Sequence, residues 1–80
     1  MGMTFGDAIE ALKNGGKVAR IEWNSENMCL EMYFPDKSSD TTLPYVCSVY
    51  PAGHISYPEG ITIPWLPSQT DMLSEDWVLV

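Results

Sequence analysis

Apolar and polar positions alternate along this chain with two different periods, and the periods change at recognisable breaks. Phe5, Ala8, Ile9 and Leu12 fall at offsets 0, 3, 4 and 7, which is one apolar face of a helix. Thr4 and Asp7 stand before and inside it at capping-box spacing, with aspartate in place of the usual glutamate. Asn14-Gly15-Gly16 ends it, because glycine tolerates the left-handed conformation that follows a helix. From Lys17 the period shortens to two. Ala19, Ile21 and Trp23 share one face of a strand, and Val18, Arg20 and Glu22 the other. Residues 24–27 are turn-like. Met28, Leu30, Met32 and Phe34 then alternate with Cys29, Glu31 and Tyr33, so the two runs read as an antiparallel hairpin.

Pro35 to Pro44 is polar and aperiodic, a loop of about ten residues, long enough for a flap or an oligomer contact. Tyr45 to Tyr50 is a third strand, Pro51 to His54 a turn, and Ile61 to Trp65 the stronger half of a strand interrupted by Pro58 and Gly60. Ser68 and Asp71 repeat the capping-box spacing behind Pro67 and open a short helix, with Met72 and Leu73 set to face the core. Asp76 to Val80 is a last short strand. The pattern predicts an α+β domain spanning residues 1–80: an N-terminal helix packed on a small antiparallel sheet, with a short second helix near the C-terminus.

Eighty residues allow one domain, and one that buries only about 60% of its unfolded surface. Such domains lean on disulfides, metals or self-association. Cys29 and Cys47 lie in apolar strand-like runs and read as reduced core thiols, although paired strands would permit one bridge. His54 stands without CxxC or HxxxH spacing, so no metal is expected. Homo-oligomerisation is left as the source of extra burial.

The formal charge of −7, from 11 acidic and 4 basic residues, argues against DNA or RNA and against an anionic membrane as partners. The start lacks a basic region followed by an apolar one, and no apolar run approaches the roughly 20 residues that span a bilayer. A cytoplasmic protein is expected. No cofactor motif is present, nor GxSxG, P-loop or GxGxxG. His54 reads as a solvated loop residue, and Asp71, Glu75 and Asp76 as an acidic helix start, not an acid–base pair. The chain is therefore not expected to be an enzyme.

Binding is better supported. Trp23 and Trp65 stand at strand ends, where a ring can stack on a nucleobase. Ser68, Gln69, Thr70 and Asp71 offer helix N-terminal amides with hydroxyl and amide side chains, a set able to hold a phosphate or sugar without many lysines, and Arg20 could add one strong charge. The alternative is that the tryptophans fill the core, the polar residues only cap the helix, and Arg20 makes a surface salt bridge.

Two stretches carry more. Met3 to Leu12, followed by Lys17-Val18-Ala19-Arg20 and Trp23-Asn24, and Pro64 to Trp77 with its W-x-P-S-Q-T-D-M-L-x-E-D-W run, resemble the two ends of the type-two Thoeris anti-defence family of small phage and prophage proteins. The resemblance covers about half of the chain. It implies a sponge in the host bacterial cytoplasm: a protein that sequesters, uncleaved, a cyclic ADP-ribose signal of the 1''–3' glycocyclic type made by a TIR-domain enzyme, so that the defence effector stays inactive. It also implies a homo-oligomer, usually a tetramer, with pockets between protomers.

Carried over by position, Phe5, Trp23 and Trp65 would wall the adenine or ribose. Asn24 would meet a ribose hydroxyl, Ser68 and Thr70 phosphate or ribose, and Asp71 a ribose hydroxyl or base nitrogen. Gln69 and Met72 belong to the same motif, and Trp77 is expected in the core. Family members vary in length across the middle, Pro35 to Gly60, which leaves room for a flap or second site. Sequestration of the cyclic dinucleotides of a second defence system, CBASS, and a purely structural or protein-binding phage accessory role are the alternatives.

Overall fold

The computed structural model of the chain describes residues 2–26, 28–36, 38, 43–54 and 56–80, with the side chains of residues 24–26 outside that description. Helix α1 (Phe5–Lys13) begins at Thr4, whose hydroxyl accepts the Asp7 N–H while the Asp7 carboxylate accepts the Thr4 N–H, both at 3.2 Å. Five strands follow: β1 (Val18–Arg20), β2 (Cys29–Tyr33), β3 (Tyr45–Tyr50), β4 (Ile61–Pro64) and β5 (Trp77–Leu79). They form one fully antiparallel sheet in the order β4-β3-β2-β1-β5. The short helix α2 (Gln69–Leu73) precedes β5. The expected α+β architecture is the observed one.

The sheet has one covered face. Antiparallel register places Val18 opposite Leu30 and Leu79, and Arg20 opposite Trp77, so these residues share a face. Helix α1 lies there and buries Ala8 and Leu12 against Val18, Leu30 and Trp77, all at most 1% exposed. Burying Leu12, Val18 and Leu30 contributes about 1.5–3 kcal/mol each, the dominant favourable term in so small a core. On the opposite face lie Ala19, Val78, Cys29, Val49 and Cys47, and none of the described elements packs over them.

Several expectations need correcting. The first strand ends at Arg20, not Trp23: the chain winds into a 3-10 turn, η1 (Ile21–Glu26), because the carboxylate of Asp76 accepts the Glu22 N–H at 3.2 Å in place of a ladder bond. Residue 27 of the predicted turn, half of the predicted 35–44 loop and Ile55 lie outside the described residues. Met72 and Leu73 do not face the core. Helix α2 is too short to present an apolar face and leaves them 42% and 78% exposed. The N-terminal segment is integral: Met3 exchanges two backbone hydrogen bonds with Trp77, and Gly2 lies so close to Glu75 and Asp76 that an added Cβ would sit 2.6 Å from a carbonyl oxygen. The thiols are free, as read from the sequence. Cys29 faces Val49 and Cys47 faces Glu31, a diagonal offset, and burial raises both thiol pKa values.

Candidate functional site

The candidate residues from the two ends of the chain meet at the β1–β5 side of the sheet. The chain leaves β4 at Trp65, turns through Pro67 and enters α2, which packs near α1. Ser68 caps α2 as Thr4 caps α1: its hydroxyl accepts the Asp71 N–H at 3.1 Å and its own N–H donates to Asp71 Oδ2 at 3.0 Å. Trp77 ties the region together from below. Its indole Nε1–H donates to the Asp71 carbonyl at 3.0 Å, and its buried ring touches three other aromatics.

Those three are Phe5, Trp23 and Trp65. Ring centroids lie 6.3 Å apart for Phe5–Trp65, 6.1 Å for Trp23–Trp65, and 5.2–6.0 Å from each to Trp77, all tilted or edge-on. Edge-to-face contact of this kind adds roughly 0.5–1.5 kcal/mol per pair beyond burial. Phe5, Trp23 and Trp65 are each only half-buried, so the cluster has a dry base at Trp77 and an accessible upper side. Beside it, Ser68, Gln69, Thr70 and Met72 are exposed. Asn24 follows Trp23 in η1, and its side chain lies outside the described residues.

Arg20 and Asp71 are differently placed. Arg20 is 7% exposed. Its Nε donates to Asp76 Oδ1 at 2.8 Å, Nη1 to Asp71 Oδ1 at 2.9 Å, and Nη2 meets the exposed Glu22 carboxylate at 2.7 Å. The hydrogen bond from Arg20 pulls the Asp76 pKa below its usual value, outweighing burial. Burial raises the Asp71 carboxyl, but its bonds from Ser68 and Arg20 prevail and leave it lowered. The bond to Asp76 in turn raises the guanidinium above its ordinary value, against the desolvation that opposes it. Sequence reading marked Arg20, Asp71 and Asp76 separately, with a surface salt bridge as the alternative role for Arg20, but not the buried cluster that the three form. The clue was present in the period-two pattern, which sets Arg20 on the same face as the core residue Val18.

His54 is not a free solvated side chain. Its Nδ1 accepts the Ser56 N–H at 3.0 Å, and its ring lies 4.8 Å from Tyr50 and 5.8 Å from Tyr57. Among the described residues no group of three or more His, Cys, Asp or Glu side chains is arranged to hold a metal. No helix among them is long and apolar enough to cross a membrane.

A groove of about 570 Å³ opens on the uncovered face of the sheet, lined by Ala19, Cys29, Val49 and Val78 together with Arg20 and Trp23. Sequence reading did not find it. The signal was that β2 and β3 carry apolar residues on both faces, which a strand with one solvated face does not need.

A family model described as a Thoeris anti-defense 2-like domain matches residues 3–80. The chain belongs to the Thoeris anti-defense 2-like family. It is also similar to a protein of Bacillus phage SP01 named Thoeris anti-defense 2, with 38% identity over 92 aligned positions that cover 98% of this chain and 94% of the relative. The family match thus runs through the middle of the chain as well as the two ends. The alignment is longer than the 80-residue chain, so the relative carries residues for which this chain has no counterpart.

Proposed function

We propose that this protein is a Thoeris anti-defence sponge: it binds a cyclic ADP-ribose signal of the 1''–3' glycocyclic type, made by bacterial TIR enzymes, and sequesters it without cleavage in the host cytoplasm. The observation that carries the reading is the half-buried aromatic group Phe5, Trp23 and Trp65 standing beside the capped start of α2, in a chain of this family. Rings with a rigid base give a stacking wall for adenine. The hydroxyls of Ser68 and Thr70 and the amides of Gln69 and Asn24 supply polar contacts for ribose and phosphate, and Met72 an adaptable apolar edge.

Binding without chemistry is supported by what the titratable groups do. Asp71 and Asp76 hold Arg20, and His54 sits among tyrosines with Nδ1 engaged. A homo-oligomer with pockets between protomers, a tetramer in the first instance, is supported by the uncovered apolar face of the sheet. The groove on that face, with Trp23 in its wall, also favours one second reading: that a cyclic dinucleotide is taken up in addition.

The test is calorimetric titration with cyclic ADP-ribose isomers and cyclic dinucleotides, followed by heat denaturation and assay of the supernatant. Tight binding with intact nucleotide recovered is the expected result. Trp23→Ala and Trp65→Ala should each weaken it by about 1–3 kcal/mol, the usual worth of one stacked base. Heat from none of these nucleotides would overturn the sponge reading, and recovery of a cleaved product would make the protein an enzyme.

A further inference from the structure

We infer that Arg20 is a positioning residue of the binding site and not a contact to the nucleotide: it is the latch that fixes Trp23 relative to the start of α2. The inference rests on the proposed site but makes its own claim about the unliganded protein. The guanidinium has three branches, and each holds a different partner. Nη1 holds Asp71 of α2, Nε holds Asp76 at the entry to β5, and Nη2 meets Glu22 of η1.

Both aspartates pass the restraint on. Asp71 Oδ2 accepts the Ser68 N–H at the α2 cap, and Asp76 Oδ2 accepts the Glu22 N–H one residue before Trp23. A single buried cation therefore sets two backbone segments, the one presenting Ser68, Gln69 and Thr70 and the one presenting Trp23. With each of its three nitrogens engaged by a carboxylate and 7% of its surface exposed, the guanidinium is already neutralised and offers little to a phosphate. Lysine, a point charge on a flexible stem, cannot span three acceptors.

The latch predicts a spectroscopic signature. The T-shaped Trp23–Trp77 pair, 5.2 Å apart, should give a strong near-ultraviolet circular dichroism signal. Arg20→Lys should weaken that signal while far-ultraviolet dichroism at 25 °C stays that of a folded protein. Affinity for TIR-derived cyclic ADP-ribose should fall roughly tenfold in Arg20→Lys and in Asp71→Asn. It should fall little further in the double variant, since the two residues act as one unit. Glu10→Gln, on the exposed side of α1 and outside the latch, should leave both readouts near those of the unaltered protein.

If Arg20→Lys does not fold, Asp76→Asn replaces it, loosening the hold on η1 while keeping the Arg20–Asp71 pair. An unchanged near-ultraviolet spectrum in a folded latch variant overturns the inference, and so does a loss of affinity with that spectrum intact, which marks a direct contact. Should the unaltered protein bind no signal, the sponge reading fails, and the spectrum alone still decides the latch.

Discussion

Trp77 and Gly60 show how differently single residues can matter in a chain of this size. Trp77 is fully buried, bonded through Nε1–H to Asp71 and in contact with Phe5, Trp23 and Trp65. Trp77→Ala removes the floor of the aromatic group and should cost about 3–5 kcal/mol, enough to unfold much of the protein at 37 °C when total stability is of order 5–15 kcal/mol. Trp65→Ala, by contrast, truncates a half-buried ring and should lower affinity more than stability. Gly60 adopts φ +80°, and a Cβ there would stand 2.9 Å from the Tyr50 carbonyl oxygen. Gly15 adopts φ +87° with nothing within 4 Å. In urea titrations Gly15→Ala should cost about 1 kcal/mol for the left-handed backbone alone. Gly60→Ala should cost about 1–3 kcal/mol more, because backbone atoms must shift. Equal losses at the two positions would show that the 51–60 turn yields without strain.

The elements with a local signal are those the sequence showed. Both helices open on capping boxes within four consecutive residues, and Tyr45–Tyr50 was bounded by Pro44 and Pro51, so their limits needed no tertiary information. The 3-10 turn after Arg20 was not legible. Its cause is Asp76, more than fifty residues away, and the alternation of Ile21 and Trp23 continued the strand pattern without a break. The aromatic residues of the candidate site were legible as residues. Their convergence on Trp77 was not, since it follows from the pairing of β1 with β5. The same long-range pair makes the acid limb of stability predictable. Arg20 and the donors around them hold the Asp71 and Asp76 carboxyls below their ordinary values in the folded protein. Their contribution is therefore fully present well above the ordinary carboxylate range and is withdrawn as pH falls through that range toward the lower folded-state values. Arg20 stays charged throughout this range, so the loss belongs to the carboxylates. Thermal melts should show Tm falling by several degrees between pH 5 and pH 2, with about 4–8 °C expected per kcal/mol for a domain of this size. Asp76→Asn should start lower at pH 7 and lose less on acidification. Parallel curves for the two proteins would mean that Asp76 is not paired in solution.

For the molecule as a whole, the question is what covers the second face of the sheet. The chain exposes 5610 Å², whereas a compact monomer of 8.9 kDa is expected to expose about 4800 Å². The excess, roughly 800 Å², is close to what one partner buries in an ordinary stable interface. Part of the exposed surface is apolar and lies on the uncovered face, in the groove that holds Val49 and Val78. Under the oligomer proposed above, a second copy would cover that surface, since α1 already supplies the buried core on the other face and no described element is left to close this one. Light scattering should then give a mass that is a small multiple of 8.9 kDa at micromolar concentration. Val78→Asp sets a carboxylate in the wall of the groove, on the sheet face opposite the α1 core, and should shift the protein toward monomer while leaving the helix and sheet signals intact. Because Trp23 lines the same groove, loss of self-association should also weaken nucleotide binding if the pocket is completed by a neighbour. A monomeric parent protein would sink the oligomer, and a Val78→Asp monomer with unchanged affinity would confine the binding site to one chain.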